Sequence, residues 1–173
     1  MSGYTITYTD TGVAAYLDQL AARMADLTPV MQDLGEYLVM STKARFATST
    51  APDGTPWASN SQVTIGRYLG NYSGMYKKSG ALSKKGATRS AAKKPLIGES
   101  RRLSGEIHAV PTAHGVTVGS VLIYSAVQQF GAAKGSLGPR TPWGNIPARP
   151  YLGLSASDRG QVIDLVQGYL APA

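Results

Sequence analysis

The chain contains no cysteine. That excludes a disulfide framework, a thiolate zinc site and a cysteine nucleophile. Histidine is almost as scarce. His108 and His114 are the two present, too few for a histidine-based metal centre. No apolar run approaches the roughly 20 residues of a membrane-spanning helix. The opening MSGYTITYTD has no basic stretch followed by an apolar one, so no secretory signal is expected. Without secretion, the Asn71-Tyr72-Ser73 sequon carries no meaning. Enzyme signatures are missing too: there is no GxxxxGKS/T, no GxGxxG after a strand, no HExxH and no GxSxG. Gly131-Ala132-Ala133-Lys134-Gly135-Ser136 has only the outline of a phosphate loop. It lacks the order that sets a lysine and a hydroxyl on phosphate and metal.

Acidic residues are also few, 10 against 17 Lys and Arg, which leaves a formal charge of +7. The excess is local. Residues 1–65 sum to −3, residues 66–102 to +9 and residues 103–173 to +1. One segment of 37 residues therefore carries the imbalance, and the rest of the chain is close to neutral.

What is present is enough for one domain spanning 1–173, with 43% hydrophobic residues to bury. Residues 4–8, Tyr-Thr-Ile-Thr-Tyr, are β-branched and aromatic and predict a short strand. Asp10 and Thr11 offer capping oxygens. Val13, Tyr16, Leu17, Leu20, Met24 and Leu27 then follow at helical spacing over about 12–26. Thr28 as N-cap and Pro29 in the first turn predict a second helix over 29–47, with Val30, Met31, Leu34, Leu38, Ser41 and Phe46 on one stripe. Residues 48–61 are turn-rich around Asp53-Gly54, and Gln62–Leu69 allow one or two helical turns. Residues 70–94 lose periodicity and read as a flexible basic loop or hairpin. A helical turn over 100–104 and two strands near 105–110 and 115–121 follow, separated by Pro111 and Gly115. A short helix is expected over 123–130, then a Gly/Pro-rich loop holding Trp143. Pro147-Ala148-Arg149-Pro150 must be extended, and Tyr151–Leu154 is expected to pair with the sheet. Ser155 and Asp158 form a capping box for a last helix lined by Val162, Leu165, Val166, Tyr169 and Leu170, which Pro172 stops. The sum is an α+β fold. Two N-terminal helices and a C-terminal helix pack on a small, mostly antiparallel sheet, with long loops.

The basic segment admits three readings. It is a solvated loop that aids solubility, a track for nucleic-acid phosphates with Tyr68, Tyr72 and Tyr76 as stacking faces, or a surface that meets an acidic partner. Lys77, Lys78, Lys84, Lys85, Arg89, Lys93 and Lys94 are its candidate contacts with DNA or an acidic protein. Glu99 and Glu106 are expected as counter-charges for Arg101 and Arg102. His108 and His114 lie beside a hairpin turn, where an exposed polar residue is ordinary, so no catalytic role is assigned to them. Trp57 and Trp143 each follow a proline in a loop. They either plug the core edge or anchor subunit contacts, as tryptophan often does at interfaces.

Taken in order, several stretches resemble the tail-completion, or virion-morphogenesis, proteins of tailed bacteriophages of the Mu-like group. They are Leu34-Gly35-Glu36-Tyr37, Ser41-Thr42 with Arg45-Phe46, Asp53-Gly54-Thr55-Pro56-Trp57, Pro95-Leu96-Ile97, Arg102-Leu103-Ser104-Gly105 with Ile107, and Val118-Gly119-Ser120. The most specific are Tyr124-Ser125-Ala126 through Gln129-Phe130-Gly131, and Ile146–Pro150 running into Leu152–Ser155. The resemblance runs from about residue 28 to the C-terminus; residues 1–27 match less well. It implies a structural virion protein at the head–tail junction that completes the tail. Such a protein is expected to form a homo-oligomeric, sixfold ring around the DNA channel, beside other neck, connector and tail proteins and close to genomic DNA. The resemblance implies no catalytic residue, cofactor or metal, assembly in the host cytoplasm and no membrane. Trp57, Trp143, Arg149 and Phe130 are the candidate subunit contacts; Arg149 is expected to pair with a carboxylate of its own fold or of a neighbour. The alternative is a nucleic-acid-binding module built on residues 66–102.

Overall fold

The computed structural model describes residues 5–7, 10–139 and 144–171. Tyr4, Tyr8, Trp143 and Pro172, each given a role above, lie outside the described residues. Asp10 opens the first helix, α1 (Thr11–Ala25). Its carboxylate accepts the N–H groups of Gly12 and Val13 at 2.8 and 3.2 Å, satisfying donors that a helix start leaves free. Asp26 does similar work for the next helix, accepting the N–H of Thr28 at 2.9 Å. Thr28 is therefore the first residue of α2 (Thr28–Thr48) and not its cap; the acid before it supplies the oxygen.

α2 is the spine of the fold. Its 21 residues extend for about 31 Å at 1.5 Å per residue. Val30, Leu34 and Phe46 mark its buried side. The hairpin of β1 (His108–Thr112) and β2 (Gly115–Gly119) lies across it, in antiparallel register from His108 opposite Gly119 to Thr112 opposite Gly115. Gly35 makes that approach possible. A Cβ there would fall 2.8 Å from Ala109 Cβ and 3.1 Å from Val116 Cγ2. Pro111 sits inside β1, opposite Val116, and does not separate the strands. A two-stranded sheet consists of edge strands, where proline is tolerated.

The remaining elements are α3 (Gln62–Gly70), α4 (Lys84–Ala92), α5 (Arg102–Gly105), α6 (Ser125–Phe130) and α7 (Ala156–Leu170). Seven helices and one two-stranded sheet among the described residues make the fold α+β. α7 lies on α2, and α1 touches α7. Of the two N-terminal helices, α2 alone packs on the sheet; α1 has no buried residue. Arg23 of α1 donates to the carbonyls of Tyr169 and Ala171, and Tyr169 Oη donates to Asp26 O.

Two strand expectations fail. Residues 5–7 form no strand, and Ile6 is 93% exposed; β-propensity yields a strand only where an edge and a packed face receive it. Tyr151–Leu154 does not join the sheet. Gln129 takes the place of a neighbouring strand: its Oε1 accepts from the N–H groups of Tyr151 and Leu152, and its Nε2 donates to Leu152 O. The core gathers around this arm. Phe46 meets Trp57 edge-on at 5.3 Å between ring centroids and Tyr151 at 5.4 Å, with Leu103 and Ile107 completing the cluster.

Candidate functional site

The residues of the sequence motifs and the residues of the charge excess fall in different places. The motif residues converge inside. Arg45 of α2 and Asp158 of α7 form an ion pair at 2.5 Å, with side chains 7% and 2% exposed. Arg45 also donates to Tyr151 O at 2.7 Å, and Ser41 Oγ donates to Asp158 at 2.6 Å. Tyr37 and the Ser155 N–H reach the same carboxylate, and Ser155 Oγ accepts the Asp158 N–H, which closes the capping box. Burial pushes the Asp158 carboxyl up. The hydrogen bonds from Ser41 and Ser155, with the Arg45 charge, outweigh it and hold the group at about 2. This pair ties α2, α7 and the 145–155 arm together. Sequence reading identified Asp158 only as a cap and Arg45 only as a motif residue. The signal missed was an arginine on the otherwise apolar stripe of a helix, which asks for a buried partner.

Two candidate subunit contacts belong to the same interior. Trp57 is 6% exposed, and its indole N–H donates to Pro150 O at 2.7 Å, so it plugs the core. Arg149 is 7% exposed. Among the described residues it pairs with no carboxylate; its guanidinium donates to the carbonyls of Ala58 and Ser59 at 2.8 and 2.9 Å. Burial pushes its pKa down. Extended backbone on a turn-rich loop offers carbonyls, and here they meet the arginine before an acid does. Phe130, by contrast, is 78% exposed. Gly131 behind it has φ +75, and a Cβ there would lie 2.7 Å from Ile146 O, a position open only to glycine.

The charge excess lies on the surface, on a unit with its own small core. Leu69 and Met75 are 0% and 1% exposed. Residues 76–82 make a tight hairpin bridged between Tyr76 and Leu82. Lys84–Ala92, read above as part of a flexible loop, is helical: this is α4. Ser83 caps it by accepting the Gly86 N–H at 3.0 Å. Gly86 rests directly on the Met75 carbonyl, where a Cβ would stand 2.1 Å from the oxygen. Helix α4 is thus docked by a glycine contact and not by an apolar stripe.

Arg89 and Lys93 turn inward on aromatic rings. The Arg89 guanidinium stands 3.3 Å from the Tyr72 ring centroid, and the Lys93 ammonium 4.7 Å from that of Tyr68. The Tyr72 hydroxyl donates to Glu99 at 2.5 Å, and that bond to a carboxylate pushes the phenol's pKa up. The Tyr68 and Tyr72 faces proposed for base stacking are therefore already covered. Lys93 donates to Ile97 O and Lys94 to Ala47 O. Lys77, Lys78, Lys84 and Lys85 are exposed. None of the ten cations in 66–102 has a carboxylate at ion-pair distance among the described residues. Glu99 serves Tyr72 and Glu106 faces His108 at 3.2 Å, so neither neutralises Arg101 or Arg102. Between α3, the 93–103 segment and the 144–149 strand-like arm lies an open groove of about 710 Å³, with Arg67, Lys93, Lys94, Arg102 and Arg149 on its walls and no acid among the described residues.

His108 and His114 stand at opposite ends of β1 and its turn and do not meet. Among the described residues no three His, Cys, Asp or Glu side chains converge as metal ligands, and no helix is long and apolar enough to cross a membrane.

The chain belongs to the phage virion morphogenesis family, whose model matches residues 8–171, nearly its whole length. Its role is accordingly in building the phage virion. The match includes α1, where the motif resemblance was weak. No curated protein and no solved structure matches the chain.

Proposed function

We propose that the protein completes the phage tail and joins it to the filled head, as a non-catalytic neck component that forms a homo-oligomeric ring, expected sixfold, around the DNA channel. The observation that carries this reading is a family member of the virion whose first helix is amphipathic and yet unburied. Val13, Leu17 and Met24 of α1 are 54%, 55% and 56% exposed. A lone subunit gains little from such a face, whereas a subunit among copies or neck partners buries it. Light scattering with purified tail or connector proteins present tests the ring. A defined assembly is expected; a chain that stays monomeric beside those proteins refutes it.

A nucleic-acid-binding module is the second reading, and the unneutralised cations of 66–102 favour it. The cations over Tyr68 and Tyr72 count against stacking there and leave Tyr76, 45% exposed, and phosphate contact as its modes. DNA affinity would then fall with salt at a log–log slope of about −0.9 per phosphate contact. Replacing Lys77, Lys78, Lys84 and Lys85 with Gln would flatten that slope; an unchanged slope sinks this reading.

A further inference from the structure

The subunit has two poles. Asp18, Asp26, Asp33 and Glu36 are exposed on α1, the α1–α2 link and the first half of α2. The helix that carries Asp18 also carries the unburied apolar face of Val13, Leu17 and Met24. The opposite pole is the tip formed by the 76–82 hairpin and the first turn of α4. It carries Lys77, Lys78, Lys84 and Lys85, with Tyr76 and Leu82 45% and 40% exposed between them. The N-terminal end of α2 meets the β-hairpin turn, where Leu27 N–H donates to Ala113 O. Its C-terminal end meets the basic unit, where Lys94 donates to Ala47 O. Asp33 and Glu36 lie about 21 and 17 Å along the helix from Ala47, and among the described residues no acid of the first pole pairs with a cation of the tip. Each pole pairs charge with exposed apolar surface, the composition of an interface with a dry centre and a polar rim. The basic tip also defies local stability. Lys84 and Lys85 occupy the first turn of α4, where the helix dipole disfavours cations and favours acids. Their placement fits a role outside the subunit.

We propose that these poles are the two halves of one heterologous contact: the acidic N-terminal helical pair of one copy docks on the basic tip of the next. The occupant of the basic tip is a second copy of this chain. Opposite charge sets the direction of the contact, and the apolar groups at each pole supply its area. A head-to-tail contact that closes by rotation makes a ring. The inference thus rests on the ring reading and assigns its interface.

Two measurements test it on the full chain. The absence of cysteine makes single-cysteine variants unambiguous. Gln32→Cys marks the acidic pole and Ala81→Cys the basic tip, both at exposed positions. The two variants are mixed with a short bismaleimide in the assembling mixture of tail or connector proteins. Crosslinks are expected between the variants and not within either one. Charge reversal is the second arm. Asp33→Lys with Glu36→Lys, or Lys84→Glu with Lys85→Glu, should each lower the crosslinked yield about tenfold or more, and mixing the two reversed chains should restore it. Circular dichroism of each variant establishes that it is folded; acids at the start of α4 and lysines along α2 suit a helix. Crosslinks within one variant mean an isologous contact and overturn the proposal. A ring that assembles without the mixed crosslink, or that ignores both reversals, overturns the interface and leaves the ring standing. Mixed crosslinks in open chains that never close refute the ring and uphold the contact. A monomer that gives no crosslink overturns both, and DNA bound only through the lysine tip then becomes the role of that surface.

Discussion

Replacing Asp158 with Asn removes the carboxylate that faces Arg45 while keeping the side chain's shape. The carboxyl is held at about 2, against 3.8 in an unfolded chain. That difference corresponds to about 2 kcal/mol at neutral pH. Removing one member of a buried pair also strands the other charge, and such changes typically cost about 3–5 kcal/mol. Arg45 keeps two other acceptors, Tyr151 O and Ser41 Oγ, so the lower end is expected, about 3 kcal/mol. With a urea slope near 2 kcal/mol per molar, the unfolding midpoint falls by about 1.5 M. Fluorescence of Trp57, packed on Phe46 in the same cluster, follows the transition. The pH dependence gives the sharper reading. The folded-state pKa is depressed, so the Asp158 contribution is complete above about 3.8 and disappears as pH falls through about 2. The wild-type chain should lose about 2 kcal/mol more than Asp158→Asn between pH 5 and pH 2. Parallel loss in the two proteins, or a neutral-pH cost below about 1 kcal/mol, would refute an ionised, load-carrying pair.

Gly86→Ala sets a methyl against the Met75 carbonyl. Overpacking should exceed the gain of about 1 kcal/mol in helix propensity by about 2 kcal/mol, with amide exchange rising selectively over residues 84–92. Gly35→Ala meets Ala109 Cβ and Val116 Cγ2, neither of which can swing away; it should destabilise by about 1 kcal/mol in thermal unfolding, and an unchanged melting temperature would show that the hairpin can shift. Phe130→Ala removes a side chain that is 78% exposed. It should change subunit stability by less than about 0.5 kcal/mol yet reduce assembly wherever Phe130 meets a neighbour; equal assembly by light scattering removes it from the candidate contacts.

The sequence makes elements legible where local chemistry agrees with tertiary need. α2 and α7 are clear because Val30, Leu34 and Phe46, or Ser155 with Asp158, announce a stripe or a cap that the structure uses. α4 is hidden because its contact face is Gly86 and it carries no apolar stripe. Its sequence, KKGATRSAA, has the charge and glycine content of a loop. The 151–154 segment misleads in the other direction. It bends at Leu152 and Gly153, and a glutamine side chain supplies the hydrogen bonds that a strand would have supplied. The charge excess itself was plain from counting, and its position at one end of α2 was not. That position depends on how residues 66–102 return to the C-terminal end of that helix. Trp57 and Arg149 looked like contacts because both are unusual residues on loops. Burial reassigns them to holding the 145–151 arm, a role that depends on carbonyls no side-chain pattern reveals.

The length of α2 works as a ruler. Asp26 closes one end through the Thr28 N–H and Lys94 closes the other through Ala47 O. The hairpin sits near the first mark and the α3–α4 unit near the last. A loop such as 48–61 can gain or lose residues gradually, but this helix cannot. One added residue turns everything beyond it by about 100° and shifts it by about 1.5 Å, which would carry Phe46 off the core face; four residues bring the face back within about 40° and lengthen the spacing by about 6 Å. Changes in the span of this subunit are therefore quantised in helical turns, and its reach is an inherited integer while its loops remain free to drift.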